Sequence, residues 1–582
     1  DRVLQLIKKN YAISLDMNKL PLDDAPTFAL IEQGKTSGVF QLESSGLKEV
    51  LRKLKPDKFE DIIAVNALYR PGPLGSGMVD DFIERRHGRQ KIKYLFPELE
   101  PILAETFGVI VYQEQVMKIA SAIGGYSLGE ADILRRAMGK KKAEVMAEQS
   151  AIFVEKAAAK GFDGKKAQEL FDLLAYFAGY GFNKSHSAAY ALIAYQTAYL
   201  KANYLPEFLA CLISLEATHP DKMAFYLQET KDLGITLLPP DINRSNIDFS
   251  AIEGNILFGL QGIKNVGLTA LENIIEERDK KGPFKDLLDF CKRVDLRTAN
   301  KRVIESLICA GAFDTLHGNR AQQFNEIEHI IDLATTHKKN ALTGQMDLFA
   351  IANKNVSNDN ELYIFAPLSE WTDRDKLEKE REVIGFYISS HPLETYKKQL
   401  AWFAIELFEQ ATEKAKTATG EYSTISCGLL KTRKDIITKK GDRMSFLQFE
   451  DMSGTAEIIA FPKTFARAEK WLSSHHVFII KGVVDVVEGA GCKIKADDIV
   501  PIELALSEWP SIEHITLTMP DDITEETVIN VKQNLTKGTC PLHIIFQENE
   551  KKLRLTTKEK ILLDAEGAQL LEKHNITIQC SL

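Results

Sequence analysis

The chain has 582 residues, 45% hydrophobic and 27% charged, with a formal net charge of −9. That length supports about four domains with several packed cores and excludes a wholly disordered chain. Seven scattered cysteines without a Cys-x-x-Cys spacing disfavour a disulfide framework and a zinc site, and the most apolar stretch, Ala188 to Tyr195, is too short to span a bilayer, so the cytoplasm is the expected compartment.

From Phe28 to Gly234 the pattern is helical, with apolar residues at three- and four-residue spacing in Gln113 to Ile123, Val145 to Ala158, Ala167 to Phe177 and Ala188 to Ala202. Arg70 precedes two prolines around Gly72, which predicts a rigid turn that holds its guanidinium or is merely tied down by it. The net acidity leaves room for local cation clusters that meet phosphates, at Arg85-Arg86-His87-Gly88-Arg89 and at Lys140, Lys141 and Lys142. Tyr112, Gln113 and Gln115 suit either hydrogen bonding to bases and sugars or a half-buried helix. Ser127-Leu-Gly-Glu130 is a capping box opening a helix that ends near Met138-Gly139 and carries Arg135 and Arg136. Adjacent helical side chains point about 100° apart, so both arginines can face one triphosphate without sharing a carboxylate.

Gly179 and Gly181 end a helix, and Ser185 is expected to cap the next one, running to about Ala202. Its N-terminus points at Asn183, Lys184 and His186. Unpaired N–H groups, the positive end of the helix dipole and the lysine together suit a phosphate. Ordinary capping of a buried helix is the alternative reading.

Leu260-Gln-Gly-Ile-Lys-Asn-Val-Gly267 precedes a helix expected from Leu268 to Arg278. Gly262 and Gly267 allow a tight hairpin whose N–H groups meet a DNA phosphate, with Lys264 nearby; the hairpin can also be purely structural. A degenerate second copy follows at Leu307 to Phe313, after a helix from Asn300 to Ser306. Beyond Thr336 the sequence turns polar and irregular, and there Gln345, Met346, Asp347, Leu348 and Phe349 offer an amide and apolar side chains to a pocket. Thr372 to Arg381 reads as a solvated helix, with Glu378, Glu380 and Glu382 among cations on its surface and Asp373-Arg-Asp375 rejected as a metal pair.

Strand-like runs at Thr424 to Leu430, Met444 to Phe449, Thr455 to Phe461, Val477 to Val487 and Cys492 to Ile499, with turns at Lys440-Gly441, Ser453-Gly454 and 489–491, suit an OB-fold barrel. Phe446, Phe449, Phe461 and Phe465 are mostly assigned to its core, and Arg433, Lys434, Lys439, Lys440 and Arg443 to a basic face that tracks single-stranded template. Ile515 to Thr518, a helix near Glu525 to Asn534, His543 to Phe546 and Lys552 to Thr556 predict a small α+β domain.

Four of these motifs, Arg70-Pro-Gly-Pro-Leu74, Tyr112-Gln-Glu-Gln-Val-Met117, Leu134-Arg-Arg-Ala-Met-Gly-Lys-Lys-Lys142 and Gly179-Tyr-Gly-Phe-Asn-Lys-Ser-His-Ser-Ala-Ala-Tyr190, resemble the fingers domain of the bacterial DNA polymerase III alpha subunit. The similarity extends through Leu238-Pro-Pro-Asp-Ile-Asn243, Glu378 to Tyr387 and Ser390-His-Pro-Leu393, so that nearly the whole chain fits the family's C-terminal half. The resemblance implies a multidomain α+β chain: the end of the palm or a connector (1–27), a mainly helical fingers domain (28–234), a small helical clamp-binding domain with a helix-hairpin-helix motif (235–350), a helical linker region (351–418), an OB-fold β-barrel (419–502) and a small α+β C-terminal domain resembling a clamp-loader-binding domain (503–582).

The implied function is DNA replication by a DNA-directed DNA polymerase, a nucleotidyltransferase. Arg70, Arg135, Arg136, Asn183, Lys184, Ser185 and His186 would bind the incoming dNTP. Lys140, Lys141, Lys142, Gly262, Lys264 and Gly267 would contact primer-template DNA, and Gln345 to Phe349 the sliding clamp (beta), with Met346 departing from the commoner leucine. The clamp-loader tau subunit would dock at the C-terminal end, and the proofreading exonuclease through an N-terminal region missing here. The family's catalytic aspartates and their Mg2+ belong to the palm, and no matching strand is found in this sequence. The chain is therefore expected to be an excised or split part, inactive alone, with no catalytic residue and no metal of its own. Two other classes are a non-enzymatic adaptor tethering DNA to the clamp and a DNA ligase, whose Lys-x-Asp-Gly motif is approached only by the wrongly spaced Lys160-Gly-Phe-Asp-Gly164.

Overall fold

The computed structural model describes residues 1–140, 143–178, 181–217, 219–343, 362–485, 492–509, 512–520, 522–548, 551–563 and 565–581. They form two compact units, Asp1–Glu370 with Glu382–Phe386, and Trp371–Arg381 with Tyr387–Leu582.

The first unit is helical through its first 232 residues, around two apolar cores. One gathers Phe28, Leu51, Ile62, Phe82, Ala191 and Tyr195, the other Phe96, Ile119, Ile123, Leu134, Phe153 and Leu174. The helix Lys184–Asn203 threads the first: Ala191, Ala194, Tyr195 and Ala198 recur at helical spacing and are fully buried. Tyr195 keeps its hydroxyl paired there, donating to the Pro21 carbonyl at 2.7 Å and accepting from the Asp24 N–H at 3.0 Å. The helices Gln113–Gly124, Leu128–Lys140, Ala143–Ala159 and Gly164–Ala178 surround the second core. The capping box at Ser127 forms as the sequence predicts, with reciprocal bonds of 2.7 Å and 3.3 Å between Ser127 and Glu130.

After these helices come a three-stranded sheet (Leu237–Leu238, Asn255–Leu257, Ser250–Ile252) and the helices Leu268–Lys281, Leu287–Arg293, Lys301–Cys309 and Arg320–Thr343. The last continues past Thr336, where the sequence suggested irregular chain. Buried Ile327, Ile330 and Ala334 hold one face of it, and Lys338 donates to the Val294 carbonyl, so tertiary contacts outweigh a polar local composition.

In the second unit, strands Tyr422–Ile437, Arg443–Glu450, Thr455–Ala460, Cys492–Pro501 and Val477–Asp485 close a barrel in that order, parallel only between the third and fourth. Leu447, Phe449, Ile458, Phe478, Ile480 and Ile494 fill it. Gly441, at φ 88°, makes the hairpin turn after the first strand. Phe465 is buried, but Phe461 is 45% exposed: it stands at the N-cap of helix Pro462–Ala468, past the end of its strand. A second correction concerns Glu380 on helix Asp373–Ile384, which is buried and accepts from the Ser389 N–H at 2.9 Å. A four-stranded sheet, ordered Lys551–Leu562, Thr536–Glu548, His514–Thr518, Thr577–Ser581, follows with helices Glu525–Asn534 and Ala565–Lys573. The chain thus has the expected multidomain α+β class. No helix among the described residues is long and apolar enough to cross a membrane.

Candidate functional site

The site is built on one short backbone pairing. Tyr112 and Phe182 form an isolated parallel bridge in which the Phe182 N–H donates to the Val111 carbonyl at 3.1 Å and the Gln113 N–H to the Phe182 carbonyl at 3.0 Å. Gln113 reinforces it by donating from Nε2 to the Gly181 carbonyl at 3.0 Å, while its Oε1 accepts from an Arg135 guanidinium N–H at 3.1 Å. One amide therefore joins helix Leu128–Lys140 to the loop before helix Lys184–Asn203. Arg70 lies on the same loop from another side, 4.6 Å above the Phe182 ring, and donates to the Ala67 carbonyl at 3.0 Å. Instead of a turn, the prolines after it form the short helix Pro71–Gly75; proline is tolerated in a first helical turn. Burial lowers the pKa of Arg70.

The cap of the Lys184–Asn203 helix is Asn183, whose side chain accepts from the His186 N–H at 2.8 Å; Ser185 lies exposed within the first turn and does not cap it. The His186 ring lies 5.6 Å from Phe182 and 4.6 Å from Tyr190. The helix N-terminus already meets an anion. The Glu114 carboxylate accepts from Asn183 Nδ2 at 2.9 Å and from the Lys184 N–H at 3.1 Å, and Glu105 pairs with Lys184 Nζ at 2.7 Å. Arg135 and Arg136 do share a carboxylate, against expectation: Asp132 takes Arg135 at 2.9 Å and Arg136 at 2.8 Å. Residues three and four apart lie on one helical face, so a single acid reaches both arginines. The Arg135 hydrogen bond is first among the causes that hold the Asp132 carboxyl below its usual range, with the Arg136 charge adding to it.

Arg70, Arg135, Asn183, Lys184 and His186 thus converge around Gln113 and Phe182. Arg136 belongs to the group through Asp132 and is 69% exposed. The sequence reading missed Glu105, Glu114 and Asp132; Glu114 reaches partners 69 and 70 positions away, which local spacing does not reveal. Gln115 is a fold residue, buried with its Oε1 on the N–H groups of Val111 and Tyr112. Tyr112 is buried as well, and burial raises the pKa of its hydroxyl.

Other candidate contacts are placed differently. Lys140 ends its helix; Lys141, Lys142 and Gln345 to Phe349 lie outside the described residues. In the hairpin, the left-handed residue is Asn265 at φ 67°, whereas Gly262 is required because a Cβ there would sit 2.7 Å from the Phe258 ring. The Lys264 N–H, expected to meet phosphate, donates to the Val383 carbonyl at 2.7 Å, and its Nζ to the Glu382 carbonyl at 3.2 Å. Gly267 stands at the N-cap of helix Leu268–Lys281. The cluster from Arg85 to Arg89 is neutralised internally: Arg85 pairs with Asp81, Arg86 with Asp57 and buried Asp61, and Arg89 with Glu84. On the barrel, Arg433 and Arg443 share Asp435 and Glu469. Among the described residues no three His, Cys, Asp or Glu side chains form a group able to hold a metal ion.

The bacterial DNA polymerase III alpha subunit finger domain matches residues 1–161, and a helix-hairpin-helix motif matches residues 234–323. The chain is 39% identical to the DNA polymerase III subunit alpha of Vibrio cholerae, over 98% of this chain and 50% of that protein. It is 41% identical to that of Pasteurella multocida, over 91% and 46%, and 39% identical to that of Borreliella burgdorferi, over 93% and 47%. The chain spans about half the length of the curated relatives it matches. Over that span, carrying both the fingers match and the hairpin match, it is similar to bacterial DNA polymerase III alpha subunits.

Proposed function

We propose that this chain supplies the nucleotide- and DNA-binding part of a replicative, template-directed DNA polymerase. The observation that supports this most is the Gln113 junction, which fixes Arg135 against the Phe182–Lys184 segment and gathers cations around the start of a 20-residue helix. An incoming dNTP places its phosphates against Arg135, Arg136 and Lys184 and the Lys184 N–H, displacing the carboxylates of Glu114 and Glu105. Arg70 adds charge beside Phe182, while Asn183, Ser185 and His186 orient the nucleotide. The divalent ions implied for such a reaction, Mg2+ in the resemblance, have no donor set among the described residues. In this reading, the carboxylates that hold them and the catalytic groups belong to a part of the polymerase other than this chain.

Primer-template DNA meets Lys140, Lys141, Lys142 and the hairpin of Gly262, Lys264 and Gly267. Gln345 to Phe349 engages the sliding clamp, the C-terminal sheet the clamp-loader tau subunit, and another part of the polymerase the proofreading exonuclease, all in the cytoplasm. A non-enzymatic tethering adaptor is the second reading, favoured by the acids that pair with Arg135, Arg136 and Lys184.

The test is Arg136→Ala in the intact polymerase. Losing one charge-assisted phosphate contact of about 1.5–3 kcal/mol weakens dNTP binding by roughly 10- to 100-fold. The melting temperature stays near wild type, because the side chain is 69% exposed. Unchanged incorporation kinetics would leave the adaptor reading in place.

A further inference from the structure

The loop between helices Ala25–Glu32 and Ser45–Leu54 carries Phe40, an aromatic side chain that is 37% exposed although Val39 and Leu42 on either side of it are fully buried. The loop is fixed at several points. The Thr36 hydroxyl donates to the Leu42 carbonyl at 2.5 Å across the turn, and the Phe40 N–H donates to Thr197 Oγ1 at 3.1 Å on helix Lys184–Asn203. Buried Lys201, on the same helix, donates to the Ser37 carbonyl at 2.8 Å. Gln41 takes the left-handed conformation at φ 63°, which persists outside glycine where the surrounding contacts over-determine the chain.

What this loop supports is a ladder of rings. Phe40 lies 5.6 Å from Tyr190 with 33° between the planes, Tyr190 lies 4.6 Å from the His186 imidazole at 39°, and His186 meets Phe182 at 5.6 Å and 67°. All three separations fall in the range of about 4.5–7 Å in which aromatic pairs attract. His186 and Tyr190 are one helical turn apart, and Phe182 stands just before the helix. The exposed imidazole is thereby clamped between two rings, and the ring behind Tyr190 comes from a distant part of the chain.

We propose that Phe40 and Tyr190 are positioning residues for the incoming nucleotide and act through His186. The proposal rests on the reading above, in which His186 orients the nucleotide beside the cations of the helix start. An exposed imidazole left to itself samples several rotamers, and ordering it each time a nucleotide binds costs affinity. A ring held on one side by Phe182 and on the other by Tyr190, itself backed by Phe40, is oriented before the nucleotide arrives. Neither Phe40 nor Tyr190 needs to touch the nucleotide. A staple that merely joined the loop to the helix would need only apolar bulk at position 40, whereas the ladder needs a flat ring there.

The experiment is single-nucleotide incorporation by the intact polymerase carrying Phe40→Leu, Phe40→Tyr, Tyr190→Leu or His186→Ala, with thermal unfolding of each variant. Phe40→Leu and Tyr190→Leu each raise the KM for dNTP roughly 2- to 12-fold, the factor for one aromatic pair of about 0.5–1.5 kcal/mol, while kcat stays within about twofold of wild type. Phe40→Tyr keeps the flat ring and restores the wild-type KM. In the His186→Ala background, which has a raised KM of its own, Phe40→Leu adds nothing further, because the ring that it positions is gone. General damage to the fold would instead lower the melting temperature and the number of active molecules and leave KM where it was. The proposal is overturned by an unchanged KM in Phe40→Leu and Tyr190→Leu, by equally raised KM values in Phe40→Leu and Phe40→Tyr, or by a Phe40→Leu effect that His186→Ala does not diminish. An unchanged KM in His186→Ala alone removes the nucleotide reading itself, and the proposal with it.

Discussion

Replacing Glu114 by Gln separates the two roles of the helix N-terminus, as a cap and as a phosphate site. In the structure the Glu114 carboxylate accepts from the Lys184 N–H at 3.1 Å and from Asn183 Nδ2 at 2.9 Å, the place a phosphate oxygen would take. A charged acceptor contributes about 1.5–3 kcal/mol and a neutral one about 0.5–1.5, so the amide holds the site about 1–2 kcal/mol less firmly. The lost negative charge at a helix N-terminus is a part of that difference, about 0.3–1 kcal/mol. A dNTP that must displace this side chain then binds roughly 5- to 30-fold more tightly, while the fold loses stability by up to the same 1–2 kcal/mol. The two effects have opposite signs, which distinguishes displacement from general damage. Equilibrium dNTP binding to the intact polymerase at low salt, alongside thermal unfolding, reads both. Affinity that is unchanged or falls in Glu114→Gln would show that the phosphate never occupies this N-terminus.

Arg86→Ala is expected to destabilise the helical unit by about 3–5 kcal/mol, because it strands a buried carboxylate. Its guanidinium is 8% exposed and pairs at 2.6 Å with Asp61, itself 1% exposed. Hydrogen exchange of helix Phe59–Leu68 checks this, and the DNA affinity of the folded fraction stays at wild type, contrary to a phosphate-binding role. The capping box gives a pH signature. The Ser127 backbone N–H, followed by its hydroxyl and Lys156, holds the Glu130 carboxyl down to about 2 from an ordinary 4.5. A depressed carboxyl stabilises above its unfolded pKa, so the contribution is whole above about pH 5 and vanishes as the pH falls towards 2. The difference in exchange protection of helix Leu128–Lys140 between wild type and Glu130→Gln is therefore constant at neutral pH and lost across that window. A pH-independent difference would contradict the assignment.

Much of the fold was legible because its signals are local. The helices of the first unit follow three- and four-residue apolar spacing, the Ser127-to-Glu130 box caps where its letters place it, and the barrel strands alternate between turn residues. Helix Arg320–Thr343, by contrast, outlasts its polar composition because Ile327, Ile330 and Ala334 are packed, and Glu380 is buried by backbone N–H groups supplied from Ser389 and its neighbour. Of the basic residues read as free for phosphate, Arg86 is paired by Asp61 and Asp57, 25 and 29 positions away, whereas Arg85, Arg89, Arg135 and Arg136 are paired by acids within five positions that the sequence reading passed over.

At the candidate site, the sequence by itself proposes the candidates: Arg70, Arg135, Arg136, Asn183, Lys184, Ser185 and His186 are singled out by residue type, by position around a helix start and by the motifs they sit in. It could not determine who occupies the helix N-terminus or what binds the segments together. That was decided by the Tyr112–Phe182 bridge, which brings Gln113 and Glu114 to residues some 70 positions away. Periodicity and capping act over a few residues and are written in the sequence. Bridging, and charge compensation between distant segments such as Glu114 with Lys184, depend on distances in space that only the closed fold sets.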